Sequence, residues 1–355
     1  MTTLTDRALN RATLARQHLL ERAGMTALRM IEHLVGMQAQ APYPPYVGLW
    51  TRLRDFRHQE LAGLLTDRSV TRLLLFRGTV HLVSAADCLA LRPVAQPVIE
   101  RMYVNARAAR AADPAVVAGH AVELLEKGPL TPKELGTALA ERMPDVPVRV
   151  LGDVARGRLA LVQVPPRAVW GVGGVTRYAT AESWLGAELG AADVPAVIRR
   201  YLAAFGPATV ADVQAWCGLT RLREVTDAMT DLIRLRGERG ADLLDLPDAP
   251  RPDAGVPAPV RFLPDFDNVV LSHADRSRIV AEPLRSRLFL RNGIVPGSVL
   301  VDGMVAATWR AADGLVTVTP LRALAPADLA EVEAEGEKLA RFLAAPGKSP
   351  GVRIG

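Results

Sequence analysis

The chain has 355 residues, of which 49% are hydrophobic and 23% are charged, a composition typical of a soluble globular protein with a large core. It contains no apolar run long enough to span a membrane, and its N-terminus lacks the apolar segment of a signal peptide. The only cysteines, Cys88 and Cys217, predict free thiols in a reducing cytoplasm and exclude a cysteine-based zinc or iron–sulfur site.

The net charge of +5 is concentrated at the N-terminal end of the chain. Residues 1–115 contain fifteen arginines and no lysine, against nine acidic residues. Arginine contacts phosphate in a bidentate manner, so this region suits a nucleic acid. Arginine-rich usage also follows from a GC-rich coding sequence, and many surface arginines are only solvated. The charge is therefore compatible with a DNA partner but does not require one.

The N-terminal region predicts helices followed by a hairpin. Apolar residues recur at helical spacing up to Gly36, and prolines then break the chain. The predicted helices span residues 8–36, 46–54 and 58–66. Residues 70–84 then show two short strand patterns around Arg77-Gly78, which predicts a hairpin. This order of elements is the outline of a winged helix.

The middle of the chain contains an internal repeat. Residues 122–135 and 200–213 share the pattern Gly-Pro, apolar, Thr, two variable positions, acidic, apolar. In each copy the threonine is a suitable helix N-cap, and the acidic residue three positions later completes a capping box. The two pairs are Thr131 with Glu134 and Thr209 with Asp212. The neighbouring helices are predicted near 116–127 and 148–156 in the first copy and near 194–205 and 221–234 in the second. Strand-like segments follow each copy, so both predict a winged helix.

The pattern changes after a linker at 247–259 that is rich in Pro, Asp and Ala. Residues 294–319 alternate as strands do, with Asp302-Gly303 as a hairpin turn, and predict a small antiparallel sheet or barrel. A last amphipathic helix is predicted over roughly 326–344, and the tail after Pro346 is expected to be loose.

These elements predict an α+β fold that is mainly helical, with three tandem winged-helix units and a small antiparallel β-barrel-like region. The predicted boundaries are 1–115 for the first unit, 116–190 for the second, 191–250 for the third, and 251–355 for the β-rich region and C-terminal helix.

The sharpest local signal is Gln38-Ala39-Gln40, which lies just after Gly36. In an extended strand, residues two apart point the same way, so both carboxamides would face one site with Ala39 packed behind them. In a helix the two side chains would diverge. Gly36 and the following prolines favour the extended conformation. The alternative is that two glutamines near a helix end cap it and face solvent, which is the more frequent outcome for such spacing alone.

The segments around this triplet resemble the AlkZ-type winged-helix DNA glycosylases, whose hallmark is a Gln-apolar-Gln motif. The resemblance extends from Arg16-Gln17 through the triplet to Arg52-Leu53, and continues at 262–267 (FLPDFD), 301–303 (VDG) and 308–310 (TWR). Related enzymes of broader substrate range carry Asp in place of the second Gln, and here position 40 is Gln. The resemblance implies three tandem winged helices forming a concave basic surface, with a β-barrel-like region.

The resemblance also implies a monofunctional DNA glycosylase. It would hydrolyse the N-glycosidic bond of N7-alkylated purines, including bulky natural-product adducts or interstrand crosslinks, as self-resistance repair. An N7-alkylated purine is cationic and leaves readily, so no strong general acid is required. We hypothesise that Gln38 and Gln40 hold the water and the sugar, with their carbonyls accepting from water and facing developing positive charge. No cofactor or metal is expected. The expected partner is duplex DNA carrying alkylated purines, bound by a monomer in the cytoplasm at the nucleoid.

Basic side chains near the triplet and along the first hairpin are the predicted DNA contacts. The predicted set is Arg52, Arg54, Arg57, Arg72, Arg77, His273, Arg276 and Arg278. Simple surface ion pairing is the alternative for several of them. The glycine-rich segment at 160–178 is a second hairpin that would suit a minor groove. Asp265 and Asp267 are spaced as a carboxylate pair for water activation would be, although such acid spacing is common.

Two other functions remain open from the residues alone. A winged-helix transcriptional regulator without catalysis predicts sequence-specific operator binding, usually as a dimer. Three different units and no evident dimerisation helix argue against it. A winged-helix interaction module without a nucleic-acid partner predicts no salt-dependent affinity for DNA.

Overall fold

The computed structural model describes residues 3–104, 106–291, 293–345 and 347–355. The helices are α1 Asp6–Arg16, α2 Ala27–His33, α3 Pro44–Trp50, α4 His58–Thr66, α5 Ala85–Tyr103, α6 Ala106–Ala111, α7 Pro114–Leu125, α8 Pro132–Arg142, α9 Val148–Arg158, α10 Ala181–Leu185, α11 Val194–Phe205, α12 Val210–Cys217, α13 Leu222–Ala228, α14 Asn268–Leu271, α15 Arg285–Leu288 and α16 Pro326–Leu343. The strands are β1 Thr3–Leu4, β2 Met37–Gln38, β3 Val70–Leu74, β4 Val80–Ser84, β5 Leu161–Gln163, β6 Tyr178–Thr180, β7 Ile233–Gly237, β8 Asp242–Asp245, β9 Arg261–Leu263, β10 Gly297–Val301, β11 Met304–Ala312, β12 Leu315–Pro320 and β13 Gly351–Ile354.

The strands form three sheets, and the fold is mixed, with more helix than strand. The first sheet has the order β2-β4-β3-β5-β6, the second β1-β7-β8, and the third β13-β12-β11-β10-β9. Among the described residues, no helix combines the length and apolar character needed to cross a membrane.

The single helix predicted over 8–36 is wrong, because the chain forms α1 and α2 with a break between them. His18 has a φ of 52°, which ends the first helix, and Thr26 begins the second by accepting from the backbone N–H of Arg29. The predicted stop at Gly36 is confirmed. Its φ is 88°, and an added Cβ would lie 2.6 Å from Val83 Cγ1, so only glycine fits before β2.

The hairpin predicted at 70–84 is confirmed as β3 and β4, which pair antiparallel. Its turn carries Arg77 and Gly78, both with positive φ. β3 also pairs with β5 of the second predicted unit through Arg72 and Gln163. The sheet therefore contains strands from both sides of the predicted domain boundary near residue 115.

The two predicted capping boxes are both present. Thr131 accepts from the Glu134 N–H at 3.1 Å and donates its own N–H to Glu134 at 2.7 Å. Thr209 and Asp212 repeat this arrangement at 3.1 and 2.8 Å. The predicted order of three helices followed by strands is confirmed in both copies, as α7–α8–α9 with β5 and β6, and as α11–α12–α13 with β7 and β8.

The predicted antiparallel barrel-like region is instead an open mixed sheet. The β10–β11 turn at Asp302-Gly303 and the last helix are confirmed. The chain then crosses through α16, so β13 lies parallel to β12, with Val352 opposite Val316. β13 and β9 are the two edges. The expectation of a loose tail is wrong for 351–354, and Pro346 lies outside the described residues.

Candidate active site

The Gln38-Ala39-Gln40 triplet begins on the edge strand β2, which ends at Gln38, and continues beside the β3–β4 hairpin. Met37 pairs with Leu82 and Gln38 with His81, and the Ala39 N–H donates to the Val80 carbonyl at 2.7 Å. The predicted extended conformation is confirmed for Gln38, whereas the chain bends at Gln40, and neither glutamine caps a helix.

Ala39 is completely buried, and Arg72 holds its backbone from behind. The Arg72 guanidinium donates to the Ala39 carbonyl at 2.7 Å. Burial lowers the pKa of Arg72 to about 10, so it remains charged at neutral pH. The triplet backbone is thus held by the strand pairing and by a buried cation.

Gln38 is nearly buried, with 8% of its surface exposed, and its orientation is determined by Arg77. The Arg77 Nη2 donates to Gln38 Oε1 at 2.7 Å. A guanidinium has no acceptor, so the carboxamide oxygen must face it and the NH₂ group must point away. Within the described part of the chain, one lone pair of that oxygen and both N–H bonds have no further partner.

Gln40 is exposed, and its carboxamide completes the strand edge. Its Oε1 accepts from the Val80 N–H at 3.3 Å, where a backbone carbonyl would otherwise pair. Both glutamine oxygens therefore bond to the β3–β4 turn region. The NH₂ group of Gln40 stays at the surface as a donor.

Arg77 is bound only by neutral acceptors among the described residues. Besides Gln38, it donates to the Asn268 Oδ1 at 3.1 Å and to the Trp216 carbonyl. Burial lowers the pKa of Arg77 to about 10, and the cation is retained at neutral pH. A cation with no carboxylate partner beside a carboxamide polarises that carboxamide and strengthens its N–H donors.

The buried ion pair of Arg52 and Asp267 positions Asn268. The two hydrogen bonds from Arg52 to Asp267 measure 2.9 and 2.8 Å. Asp267 also caps α14 by accepting from the Val269 N–H at 2.9 Å. Arg52 additionally donates to Gln17 at 3.1 Å. Asp267 is fully engaged by these contacts, which argues against a role for it in activating water.

The enclosed space at Gln38 is small. A cavity of about 10 Å³ is lined by Gln38, Pro44, Pro264 and Asn268, among others. This volume is close to that of one water molecule and far below that of a purine base. The space beside Gln38 is therefore too small for a purine base, and the exposed Gln40 does not line it.

Two residues beside Gln38 were not identified as site residues from the sequence. Asn268 follows the 262–267 segment, and its proximity to Arg77 required the fold. His81 is the cross-strand neighbour of Gln38 and is fully buried, with Nδ1 3.0 Å from the Thr79 carbonyl. Burial lowers the pKa of His81 to about 3, so it is neutral. The strand alternation of 70–84 was the available signal for His81.

Four of the predicted DNA contacts are buried, which corrects the expectation for them. They are Arg52, Arg72, His273 and Arg278. His273 Nε2 lies 3.1 Å from the Phe205 carbonyl, and Arg278 donates to the Pro207 carbonyl at 2.8 Å. In this packing each of the four forms at least one hydrogen bond within the protein, although Arg52 Nε and both Nε and Nη1 of Arg72 have no partner among the described residues. Arg77 is likewise engaged internally.

The remaining predicted contacts are more accessible. Arg57 is exposed, and Arg54 is exposed and pairs with Glu21 at 2.5 Å. Arg276 is half-buried, with its guanidinium 4.2 Å from the centroid of the Phe289 ring. Exposed pairs of this kind are weak, so Arg54 can exchange Glu21 for another anion.

The glycine-rich loop between β5 and β6 packs against the start of α3. The Tyr46 hydroxyl donates to the Ala168 carbonyl at 2.9 Å and accepts from the Trp170 N–H at 3.1 Å. Tyr43 and Trp170 rings are in edge contact at 5.2 Å. Residues 171–175 remain exposed at the tip. Because Pro44 of α3 lines the Gln38 cavity, this tip is held near the triplet.

Comparison with known proteins gives one consistent result. The sequence profile of the family described as "DNA glycosylase AlkZ-like" matches residues 31–342. A protein from Streptomyces sahachiroi described as "Interstrand DNA cross-link repair glycosylase" is 24% identical over 92% of this chain and 93% of its own length. The solved structure of Streptomyces sahachiroi DNA glycosylase AlkZ is similar over all of both chains, with a TM-score of 0.79 and 22% identity.

Proposed function

Because the chain belongs to the AlkZ-like DNA glycosylases, we propose that it hydrolyses the N-glycosidic bond of N7-alkylated purines in duplex DNA. Its proposed substrates are bulky adducts and interstrand crosslinks, in line with the crosslink-repair description of its Streptomyces sahachiroi relative. The proposed biological setting is self-resistance to a DNA-alkylating natural product, by a monomer acting in the cytoplasm. The observation that carries the proposal is the Gln38-Ala39-Gln40 triplet presented at a strand edge.

The chemistry requires orientation more than acid catalysis. Alkylation at N7 makes the purine a cationic leaving group, and the sugar passes through an oxocarbenium-like transition state. Gln38 and Gln40 would hold the attacking water and the sugar with their free N–H bonds and remaining lone pairs. Loss of one such polar contact typically costs about 2–4 kcal/mol in the transition state.

Arg77 acts in this scheme as a positioning residue. Its hydrogen bond at 2.7 Å keeps the Gln38 carboxamide in one orientation, with the NH₂ group turned away from the guanidinium. Asn268 shares the same Nη2 and limits its movement. A preorganised dipole of this kind needs no rearrangement during the reaction.

The small space beside Gln38 favours attack on a base that stays in or near the helix. A cavity of about 10 Å³ cannot receive a flipped purine, and a crosslinked purine cannot leave the duplex. We further propose that the two repeated units are winged helices. In this proposal the duplex contacts Arg54, Arg57 and the exposed loop 171–175.

The test is base release from a duplex containing a single N7-methylguanine, followed by cleavage of the abasic site with mild alkali. We expect Gln38→Ala and Gln40→Ala each to lower the single-turnover rate by about 10²- to 10³-fold. Gln59→Ala, which changes an exposed glutamine of α4, is the matched control and should keep the wild-type rate.

Two results would contradict the proposal. Equal rates in wild type and both triplet variants would remove Gln38 and Gln40 from the site. No release from methyl, bulky or crosslinked substrates, together with sequence-specific DNA binding, would instead support a winged-helix regulator.

A further inference from the structure

A groove of about 410 Å³ lies next to the Gln38 cavity. Pro44 and Pro264 line both spaces, so the groove begins where the small cavity ends. Its walls come from the start of α3, the 262–267 segment and strand β11. Its volume is within the usual range of small-molecule sites, whereas the cavity at Gln38 has room for little more than a water.

The groove is built mainly of rigid apolar side chains. Tyr43 and Ile294 are 41% and 45% exposed, which is unusual for large apolar residues on one rim. Trp309 donates its indole N–H to the Leu263 carbonyl at 2.7 Å, so its polar atom is satisfied and its ring is fixed. Such walls suit a flat apolar group more than a sugar or a peptide.

The charges at the groove also suit a modified base in DNA. Asp265 is exposed, and its carboxylate accepts from the Gly297 N–H at 2.6 Å. Within the described ranges it has no salt-bridge partner, so its negative charge is available to a cationic N7-alkylated purine. Arg310 is exposed on β11 at the same groove and suits a neighbouring phosphate.

We propose that this groove binds a planar apolar substituent carried on N7 of the excised purine, while Gln38 and Gln40 face the glycosidic bond. The inference rests on the proposed glycosylase function and adds its substrate class: a cationic purine with an aromatic appendage. Tyr43, Trp309 and Ile294 would then determine specificity, separately from the glutamines.

The test compares duplexes that carry a single N7-methylguanine or a single N7-benzylguanine. Wild-type kcat/KM should be at least about tenfold higher for the benzyl adduct, since one apolar group in a fitted pocket has effects of this size. Ala311→Trp fills the groove from an exposed strand position and should remove this preference while methyl release stays within about twofold. Ala312→Trp is the matched control, because Ala312 is an exposed alanine of the same strand that does not line the groove.

The outcomes separate the inference from the function on which it rests. Equal kcat/KM for both adducts in wild type would contradict the proposed role of the groove but not the proposed glycosylase function. An unchanged preference in Ala311→Trp would do the same. Release of neither adduct would overturn the proposed function itself. Tyr43→Ala provides a second check, since losing one wall should reduce the benzyl preference without blocking the groove.

Discussion

Arg77 shows how one side chain can fix the orientation of another. Its backbone has a φ of 56° in the β3–β4 turn, which directs the side chain towards both Gln38 and Asn268. The left-handed conformation is costly for a non-glycine residue and persists where the surrounding structure requires it. The Arg77 backbone conformation is therefore held by the fold, and its side chain bonds only to neutral acceptors among the described residues.

We expect Arg77→Lys to lower kcat for base release by about 10- to 100-fold while KM for DNA stays nearly constant. Lysine keeps the charge but has a single nitrogen, so it cannot donate to Gln38 and Asn268 from one nitrogen and to the Trp216 carbonyl from another. In Arg77→Ala, added guanidinium ion should restore part of the rate. This rescue reports on positioning, because a purely structural loss would not respond to it.

Arg101→Lys is the control for this experiment. Arg101 is an exposed arginine of α5 that donates to the Gly218 carbonyl at 3.0 Å and does not contact Gln38. If Arg101→Lys lowered kcat equally, or if Arg77→Lys changed only KM, Arg77 would not position the carboxamide.

At the scale of elements, the loop between β5 and β6 combines a fixed base with an exposed tip. Its base is tied to α3 through Tyr46 and Trp170, which bury two polar contacts. Its tip carries Val172 and Val175, which are 44% and 63% exposed. An element with this geometry can enter a groove without being ordered at the time of binding, which lowers the entropic cost.

We expect Val172→Asp together with Val175→Asp to weaken binding to undamaged duplex DNA by about tenfold or more at low salt. The new charges face phosphates if the tip contacts DNA, and the repulsion should diminish as salt is raised. Fluorescence anisotropy at two salt concentrations measures the effect. Val116→Asp on α7 is a control at a similarly exposed valine, and an equal loss there would exclude a specific role for the loop.

At the scale of the whole molecule, buried and half-buried histidines couple folding to pH. Burial is the main cause of a lowered pKa at five of them. The pKa falls to about 4 for His18 and His58 and to about 3 for His81 and His273. The pKa of His33 is also lowered. All five are neutral in the folded state at pH 7. The unfolded chain binds their protons near pH 6.5, so protonation favours unfolding.

Stability should therefore be complete above about pH 7 and fall as the pH decreases from 6.5 towards 4. Each additional proton bound by the unfolded chain contributes a slope of about 1.4 kcal/mol per pH unit. Thermal melting between pH 7.5 and 4.5 measures this dependence. A melting temperature that does not change between pH 7.5 and 5 would contradict the effect of burial.

His58→Phe provides the matched variant for this dependence. The His58 ring is stacked between Trp170 at 3.8 Å and Phe342 at 4.0 Å, so phenylalanine keeps the stack and removes the titrating group. Its Nε2 is buried without a hydrogen-bond partner, so little is lost. The variant should show a shallower loss of stability with acid than wild type.

The features that the sequence predicted well depend on local interactions. The capping boxes at Thr131 and Thr209, the turn at Asp302-Gly303 and the stop at Gly36 each depend on residues within a few positions. Their geometry is therefore encoded in short stretches of chain. The extended conformation at Gln38 belongs to this group, because it follows directly after the helix stop at Gly36.

Burial, partners and long-range strand pairing were decided only by the tertiary structure. The sequence does not distinguish an arginine that faces solvent from one that binds a buried carboxylate. Arg52, for example, pairs with Asp267, which is 215 positions away along the chain. The contact of Arg77 with Asn268 spans 191 residues, and the pairing of β13 with β12 crosses an entire helix. By itself, then, the sequence determined the local elements, the basic N-terminal end and the catalytic candidates. Packing alone decided which charges support the fold and which remain exposed, because a charged side chain has no sequence period that reveals its partner.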